Sequence, residues 1–382
     1  MKREVLIVGG GPSGAVAGIH LLKNKFKVTL FEKGNKNRNK ICGEGLTPES
    51  QNILKIVNLY DKVKKFALEV NEMTVFDLSN RPISLKNKYL TLERSMLDLL
   101  LREEVEELGG SIIYNSTIVD WFKNRKSVTV EDTSGKKYEG DVLVLATGAD
   151  NSLSKKGNWI TTPYTAVAIR AYGKNTTNCK TLEFYMHRKL FPAYGWVFPL
   201  PNNRINIGVY THKDSGPTRD VSKLMKIFYD VLAERYSSSF ELLSPLQGWT
   251  LQTGLHGKNI SDDRVLLVGE NIASTYNLSG EGIGPAMKSG FLAAKTIIEA
   301  DGIFTKSSLC KYEIMIQKEL GPMHFGYNKL MKLFKYKPFF TVATWILRRS
   351  KRARIMVEEI IDEKITFKKV FRLQSLIGHI FA

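Results

Sequence analysis

Short apolar runs bounded by glycine and polar residues recur along the chain and predict buried strands. Glu4 to Val8 is EVLIV, residues 141–146 are DVLVLA, and Arg264 to Val268 is RVLLV. Continuous apolar runs are typical of strands that are covered on both faces of a parallel sheet. A helix is predicted from Gly14, and residues 27–33, KVTLFEK, follow it as a second strand. The pattern therefore predicts an α/β fold that contains a parallel sheet.

A different, alternating pattern covers the middle of the chain. Between about residues 161 and 249, polar and apolar residues alternate in four runs, TAVAIRAY, TLEFYMH, YGWVFPL and RINIGVY. This alternation predicts strands that bury one face, so we expect a mostly antiparallel sheet here. An amphipathic helix is predicted over Leu92 to Leu108, and hairpin-like strands over 111–140. The last predicted strand is followed by a helix over about Gly282 to Ala300 and then by helices only.

A glycine-rich turn joins the first strand to the first helix. Gly9, Gly11 and Gly14 form the pattern GxGxxG, in which Pro12 and Ser13 precede the last glycine. Gly9 permits a tight turn, Gly11 lets a pyrophosphate approach the backbone, and Gly14 lets the helix pack closely on the strand. The helix N-terminus offers free N–H groups to the phosphates. Glu32, 18 residues after Gly14, suits an unphosphorylated ribose, so the turn predicts FAD or NAD rather than NADP.

Five further segments resemble, in the same order, the motifs of one flavoprotein family. They are KICGEGL at 40–46, the helix with Arg94, ATGAD at 146–150, YGWVFP at 194–199, and Gly269-Glu270 with SGEGI at 279–283. On these motifs the chain resembles the geranylgeranyl reductase family, within the broader group built like p-hydroxybenzoate hydroxylase. KICGEGL and YGWVFP are the segments most specific to that family.

The resemblance implies FAD as the cofactor and assigns residues to it. Arg94 would reach the phosphate and ribityl region, and Glu270 would take the place of an aspartate that holds the ribityl chain. The turn at Gly280 and Gly282 would face the flavin ring. The implied cofactor-binding residues are Gly9, Gly11, Pro12, Ser13, Gly14, Glu32, Lys33, Cys42, Gly43, Arg94, Gly148, Gly269, Glu270, Gly280, Gly282 and Ile283.

The motifs also predict how the chain divides into domains. We expect a discontinuous, Rossmann-like FAD-binding domain of residues 1–68, 90–160 and 262–320. Residues 69–89 and 161–261 would form a mostly antiparallel substrate domain, and residues 321–382 a basic helical segment.

Cys42 has two interpretations. In the reductase family its loop lies beside the flavin ring, so the thiol would be a catalytic group that gives a proton to the carbon opposite the one receiving hydride. A free cysteine is also among the most commonly buried residues and is usually inert. On that interpretation Cys42 only lines the cavity.

Three aromatic residues alternate along one predicted strand. Tyr194, Trp196 and Phe198 share one face of it, because side chains repeat with a period of two. An aromatic stripe is commonly core. In the reductase family this segment, with Pro199, resembles a substrate-binding wall near the flavin, and a long apolar substrate needs such a surface. Both interpretations stay open.

The composition is that of an ordinary globular protein. Hydrophobic residues make up 43% and charged residues 25% of the 382, which argues against disorder and against a multi-span membrane protein. Cys42, Cys179 and Cys310 are scattered and odd in number, so neither a disulfide framework nor a metal site is indicated. A cytoplasmic protein is expected, since the first strand at Glu4 leaves no room for a signal segment.

The net charge of +18 is concentrated at the end of the chain. Residues 321–382 carry 13 Lys and Arg against four Asp and Glu, which is half of the excess. The apolar stretch Pro338 to Leu347 is too short to span a bilayer, and RRSKRAR follows it. Such a segment suits an anionic membrane surface, placing the protein peripherally at the inner face of the membrane. A solvated helix surface and, less favoured, nucleic-acid binding are the alternatives.

These features lead to a functional hypothesis. The resemblance implies an FAD-dependent oxidoreductase that reduces carbon–carbon double bonds of an isoprenoid or other apolar lipid by hydride transfer from reduced flavin. NADPH, NADH or ferredoxin would supply the electrons. The alternative is an FAD-dependent monooxygenase or a halogenase-like enzyme that acts on an aromatic or apolar substrate.

Overall fold

Two large β-sheets, a small third sheet, twelve α-helices and one short 3₁₀ helix, Gly269–Ile272, make up the computed structural model over the residues that it describes. These are residues 3–157, 159, 165–176, 178–213, 220–236, 241–365 and 367. The strands are β1 Glu4–Val8, β2 Lys27–Glu32, β3 Gly45–Leu46, β4 Leu68–Phe76, β5 Pro82–Thr91, β6 Ser111–Tyr114, β7 Ile118–Lys123, β8 Val128–Asp132, β9 Lys137–Gly140, β10 Val142–Leu145, β11 Ala166–Lys174, β12 Leu182–Tyr185, β13 Tyr194–Leu200, β14 Arg204–His212, β15 Gln247–Leu251, β16 Ser261–Asp262 and β17 Val265–Leu267.

Helices are interspersed with these strands along the chain. They are α1 Pro12–Lys23, α2 Pro48–Ile56, α3 Tyr60–Lys64, α4 Arg94–Glu107, α5 Ser152–Lys156, α6 Val221–Tyr236, α7 Ile283–Glu299, α8 Lys306–Leu309, α9 Lys311–Glu319, α10 Gly321–Phe334, α11 Lys337–Arg349 and α12 Lys351–Ile361. Among the described residues after β17 the regular elements are helices, as predicted.

The first sheet has six strands in the order β16-β17-β10-β1-β2-β6. All its neighbours are parallel except the short edge strand β16. At its centre Ile7 is paired with Val144 on one side and with Leu30 on the other, and all three are fully buried. The continuous apolar runs thus form a sheet covered on both faces, which confirms the predicted fold class.

The hairpin expectation for residues 111–140 is wrong at its beginning. Residues 111–114 form β6, which pairs in parallel with β2. Gly109, at φ +84°, follows the last turn of α4 and lets the chain turn back into β6 beside β2. The rest of the stretch, β7 to β9, is the predicted antiparallel sheet, with its turn at Gly135.

The second sheet has eight strands in the order β15-β11-β14-β13-β12-β4-β5-β3. Its neighbours are antiparallel except β4 and β12, so the mostly antiparallel expectation is confirmed. Val197 and Ile207 belong to a core that includes residues of α6, whereas Tyr194, Trp196 and Phe198 belong to a separate cluster on the other face. One face is therefore packed on a helix, and the other lines a cavity.

The last helices are attached to the second sheet by polar contacts. Glu358 of α12 accepts a hydrogen bond from the Lys86 amide at 2.7 Å, and Asp362 accepts one from Asn87 at 2.6 Å. Arg348 of α11 forms an ion pair with the buried Asp77. The two sheets and this helical segment support the proposed division into three parts, whose boundaries remain a proposal.

At Gly290, helix α7 approaches the start of α1 so closely that no side chain fits there. A Cβ at Gly290 would lie 2.0 Å from the carbonyl oxygen of Ser13, whereas a Cβ at Gly18 would meet side chains no closer than 3.5 Å. We expect Gly290→Ala to lower the free energy of unfolding by about 1–3 kcal/mol through overpacking. Gly18→Ala should instead stabilise by about 0.5–1 kcal/mol, because glycine disfavours a helix. Denaturant unfolding of both holoenzymes checks this, and equal effects would contradict it.

Candidate active site

The glycine turn lies at the carboxyl end of β1 and fits a dinucleotide phosphate. Gly9 has φ +111°, and a Cβ there would lie 2.2 Å from the oxygen of Ala146. A Cβ at Gly14 would lie 2.0 Å from the oxygen of Gly9, so neither position tolerates a side chain. Gly11 precedes α1 without a side-chain cap, and a Cβ there would meet only the Arg38 guanidinium, at 3.5 Å. The first N–H groups of α1 therefore remain available for an anion.

Glu32 ends β2 beside this turn, where a ribose-binding acid is expected. Its carboxylate accepts hydrogen bonds from the amides of Gly10 at 3.0 Å and Gly34 at 2.9 Å, and it pairs with Arg38 at 2.9 Å. The fully buried Arg102 donates to the Gly10 carbonyl at 3.1 Å and holds the turn from behind. Arg38 and Arg102 were not identified from the sequence, since nothing in local spacing links them to the turn.

Arg94 lines the cavity, and its guanidinium is already paired. It makes two hydrogen bonds to Asp98, one turn further along α4, at 3.0 and 3.1 Å. Arg38 contacts the same carboxylate at 3.2 Å. Burial by itself would raise the pKa of Asp98, but these guanidinium groups lower it, so Asp98 is ionised. Arg94 thus keeps one positive charge next to the loop of Cys42, and its predicted contact with the FAD phosphate remains a proposal.

Glu270 lies in the cavity wall beside Lys40 of the segment KICGEGL and Gly148 of the segment ATGAD. Its carboxylate accepts hydrogen bonds from the Lys40 ammonium at 3.2 Å and from the backbone N–H of Gln252 at 3.1 Å. Gly269 has φ +65° and leaves space for Ser13, and Gly148, at φ +72°, lies beside Lys40. The carboxylate is therefore fixed at the cavity wall, as the predicted ribityl contact requires.

The SGEGI turn opens α7 at the cavity. Gly280 has φ +70°, and the Tyr194 hydroxyl donates to the Ser279 carbonyl at 2.5 Å. Glu281 accepts a hydrogen bond from the Gly284 amide at 2.9 Å, which caps the helix. Burial raises the pKa of Glu281 to about 7. Gly280, Gly282 and Ile283 all line the cavity.

The loop of Cys42 is held by a buried carboxylate. Glu44, at φ +68°, accepts hydrogen bonds from Tyr172 at 2.5 Å, Asn206 at 3.1 Å and the Arg94 amide at 3.2 Å. Asn206 also donates to the Cys42 carbonyl at 2.8 Å and accepts from the Trp196 indole at 2.9 Å. Burial raises the pKa of Glu44 to about 6 although these hydrogen bonds oppose the shift.

Cys42 itself faces the cavity as a protonated thiol. The Glu44 amide donates to its sulfur at 3.3 Å. Burial raises the pKa of the thiol, and the nearby Arg94 charge only partly opposes that effect. A thiol that keeps its proton at neutral pH is a potential proton donor rather than a nucleophile.

A single cavity of about 1420 Å³ connects these groups. Tyr194, Trp196 and Phe198 line it and are also buried in their own cluster, so they are at once core and cavity wall. Gly43 lies against the Phe198 ring, which a Cβ would approach to 3.4 Å. The described lining includes every predicted site residue except Gly14, Gly269 and Pro199. The first two support the wall through close packing, and the Pro199 carbonyl accepts a hydrogen bond from Thr91 at 2.6 Å.

The sequence interpretation missed four polar residues around Cys42. They are Glu44, Arg170, Tyr172 and Asn206, all of which are buried or nearly so. A signal was present, because Arg170 and Asn206 are polar residues with apolar neighbours on both sides in the runs TAVAIRAY and RINIGVY. Buried polar groups need partners, so such positions indicate a network.

Comparison with known proteins finds relatives along most of the chain. The family model for pyridine nucleotide-disulphide oxidoreductases matches residues 3–181. Conditioned medium factor receptor 1 of Dictyostelium discoideum is 25% identical over 93% of this chain and 75% of its own. Menaquinone reductase of Mycolicibacterium smegmatis is 25% identical over 96% and 92%. Digeranylgeranylglycerophospholipid reductase of Methanothrix thermoacetophila is 25% identical over 84% of each chain.

Solved structures share the fold. A geranylgeranyl bacteriochlorophyll reductase-like protein of Thermoplasma acidophilum superposes with a TM-score of 0.82 at 20% identity, over 94% of this chain and 96% of its own. The flavin-dependent halogenase CmlS gives 0.73 at 19% identity, over 94% and 70%. The matches confirm the resemblance stated from the motifs, and with it FAD as the cofactor.

The raised pKa of Glu44 predicts how stability depends on pH. Its carboxyl titrates near 4.5 when unfolded and at about 6 when folded. Burial therefore favours the protonated form, and the folded state should lose about 2 kcal/mol as the pH rises from 4.5 to 7. Glu44→Gln should make the decline about 2 kcal/mol smaller, whereas Glu139→Gln, at an exposed position, should leave it unchanged. Denaturant unfolding of the holoenzymes across this pH range measures the difference, and parallel wild-type and Glu44→Gln profiles would contradict the assignment.

Proposed function

We propose that this FAD-dependent oxidoreductase of the geranylgeranyl reductase-like group reduces carbon–carbon double bonds in an isoprenoid-type lipid. The observation that carries the proposal is the shape and lining of the cavity. It extends from the glycine turn at Gly9 past Cys42 and continues among apolar residues of α10 to α12. A polyprenyl chain is long and apolar, so it matches such a surface better than a compact aromatic substrate does.

The apolar part of the cavity is formed by both the sheet and the last helices. From the sheet come Val75, Leu85 and Phe184, and from the helices Leu330 and Phe340, among others. Burial of an apolar chain here is favoured by roughly 25 cal/mol per Å² of surface removed from water. The helical segment therefore completes the proposed substrate site.

The names of two relatives support the substrate class. One is named for the reduction of menaquinone and one for the reduction of a digeranylgeranylglycerophospholipid. We extend that class, an apolar lipid, to this chain. NADPH, NADH or ferredoxin remains our proposed source of electrons.

Cys42 is the proposed proton donor. When bound and reduced, FAD would be the source of the hydride for one carbon of the double bond. The Cys42 thiol gives its proton to the other carbon, and the thiolate then regains a proton from water. The Arg94 charge beside the sulfur stabilises the transient thiolate. Trp196 and Phe198 hold the chain and exclude water from this step.

The anaerobic reaction tests the proposal. Dithionite-reduced holoenzyme, incubated with a polyprenyl lipid, should add pairs of hydrogens that mass spectrometry detects. Cys42→Ala should slow this reaction by roughly 10²- to 10⁴-fold, the usual contribution of a positioned acid, while FAD content stays normal. Cys310→Ala is the matched control, because Cys310 lies outside the described cavity lining.

The second candidate function is that of a monooxygenase or halogenase, because a halogenase shares the fold. It would be favoured if the enzyme left every double bond intact under these conditions but oxidised or halogenated an aromatic compound with oxygen. That result would reject the reductase proposal outright.

We further propose that α11 contacts an anionic membrane surface. Among the described residues, no helix is both long enough and apolar enough to cross a bilayer. Phe339, Val342 and Trp345 lie at three-residue intervals on α11 and are 39%, 57% and 44% exposed. Basic residues of the segment 348–352 follow directly. Exposed apolar side chains beside basic ones suit an interface with anionic lipid.

Vesicle sedimentation checks this contact. The holoenzyme should bind vesicles that contain phosphatidylglycerol more strongly than pure phosphatidylcholine vesicles, and salt should weaken the binding. A Val342→Glu/Trp345→Glu double variant should reduce binding by roughly tenfold or more, since two apolar side chains no longer insert. Ile314→Glu, at an exposed apolar position on α9, is the control. Equal loss in both variants, or no binding by the wild type, would reject the contact.

A further inference from the structure

Arg170 is a buried cation in the cavity wall with unused hydrogen-bond donors. It lies in the middle of β11 and is 1% exposed. Its Nη2 donates to the Tyr172 hydroxyl at 3.2 Å, whereas Nε and Nη1 have no hydrogen-bond partner among the described residues. A guanidinium carries five N–H donors, and unpaired buried donors destabilise a protein. An acceptor from outside the described chain would remove that cost.

The contacts that Arg170 makes hold its guanidinium in place but leave Nε and Nη1 without hydrogen-bond partners among the described residues. Its Cζ lies 4.0 Å from the centroid of the Tyr172 ring, and Arg204 lies 4.6 Å from the same ring. Tyr172 in turn donates to Glu44 at 2.5 Å. No carboxylate of the described residues lies within 4.0 Å of the guanidinium as an ion pair, so Glu44 is reached only through the Tyr172 hydroxyl.

The register of the sheet places Arg170 beside the proposed reacting end of the cavity. Arg170 is paired with Gly208, and Gly208 is paired with Trp196. Directly opposite residues point to the same face, so Arg170 and Trp196 share the cavity face. A Cβ at Gly208 would lie 2.2 Å from the indole, which shows that the Trp196 ring occupies the space between them. Asn206 links the same indole to the Cys42 carbonyl.

We propose that Arg170 is a head-group subsite, which binds an acceptor oxygen at the polar end of the lipid substrate. This inference rests on the proposed function and narrows its substrate class to apolar chains that carry such an oxygen. A hydrocarbon chain cannot satisfy Nε and Nη1, whereas a phosphate oxygen or a quinone carbonyl can. The head group would then lie beside Trp196 and the Cys42 loop, and the chain would continue along the apolar cavity.

Ligand binding to the oxidised holoenzyme tests the subsite without turnover. Three probes of similar chain length serve: a polyprenyl phosphate, a polyprenyl quinone and an oxygen-free polyprene. Changes in flavin absorbance give each dissociation constant. Arg170→Met should raise the dissociation constant of one or both oxygen-bearing probes by roughly 10- to 100-fold, which is the usual effect of losing a hydrogen bond from a charged group. Binding of the hydrocarbon should be unchanged.

Two further variants separate the subsite from a supporting role. Arg170→Lys keeps the charge but loses Nε and Nη1, so it should show the same selective loss to a smaller degree. Arg204→Met removes the other guanidinium at the Tyr172 ring, outside the described cavity lining, and should bind all probes as the wild type does. Loss confined to the phosphate probe identifies an anionic head group, and loss confined to the quinone identifies a carbonyl.

Several outcomes would overturn the subsite. If the wild type binds the hydrocarbon as tightly as both oxygen-bearing probes, it has no head-group subsite, whatever the variants do. Equal weakening of all three probes by Arg170→Met, restored by adding Glu44→Gln, would show that Arg170 only balances the buried carboxylate. Selective binding by an enzyme that saturates no double bond would instead reject the proposed reaction and leave the subsite standing.

Discussion

The arrangement of the candidate site depends on one buried carboxylate, that of Glu44. It receives hydrogen bonds from the first residue of α4, from β11 and from β14, and so joins the Cys42 loop to helix and sheet at once. Its burial is costly, and the three hydrogen bonds offset that cost only in part, because the pKa of the carboxyl stays raised. The position of the thiol, of the Arg94 charge and of the Trp196 indole therefore follows from a single network.

The same network explains why the two sheets act together. The parallel sheet presents its glycine turn and Glu32, the predicted ribose-binding acid, at the carboxyl ends of adjacent strands, which is where such sheets bind ligands. The second sheet turns its aromatic face toward the cavity and its other face to α6. Because Glu44 is bonded to the second sheet, the loop beside the proposed flavin position is fixed relative to the proposed substrate wall.

A shared fold does not decide the reaction. Reductase-like and halogenase structures both superpose on this chain, so the chemistry has to be argued from its side chains. Here those are a protonated thiol, a neighbouring arginine charge, aromatic walls and a long apolar extension. An extended apolar chamber suits a lipid, and the buried Arg170 adds a place for its polar end.

The sequence by itself determined the elements whose cause is local. Continuous apolar runs identified β1, β10 and β17, alternation identified the second sheet, and the spacing of Gly9, Gly11 and Gly14 identified the tight turn between β1 and α1. These depend on the period of a strand and on backbone angles that only glycine adopts easily. The pairing of β6 with β2 was not determined in this way, because an edge strand of mixed polarity carries no mark of its partner.

Only the tertiary structure decided which charges and donors meet. Glu44 and Tyr172 are separated by 128 residues, and Asn206 by 162 from Glu44. Arg94 and Asp98 are one turn apart in the same helix, so the sequence allows them to pair. That they do pair follows from the burial of both side chains, which only the tertiary structure shows. Local pattern shows that a polar residue will be buried, whereas the identity of its partner depends on how distant segments pack, which no short-range period encodes.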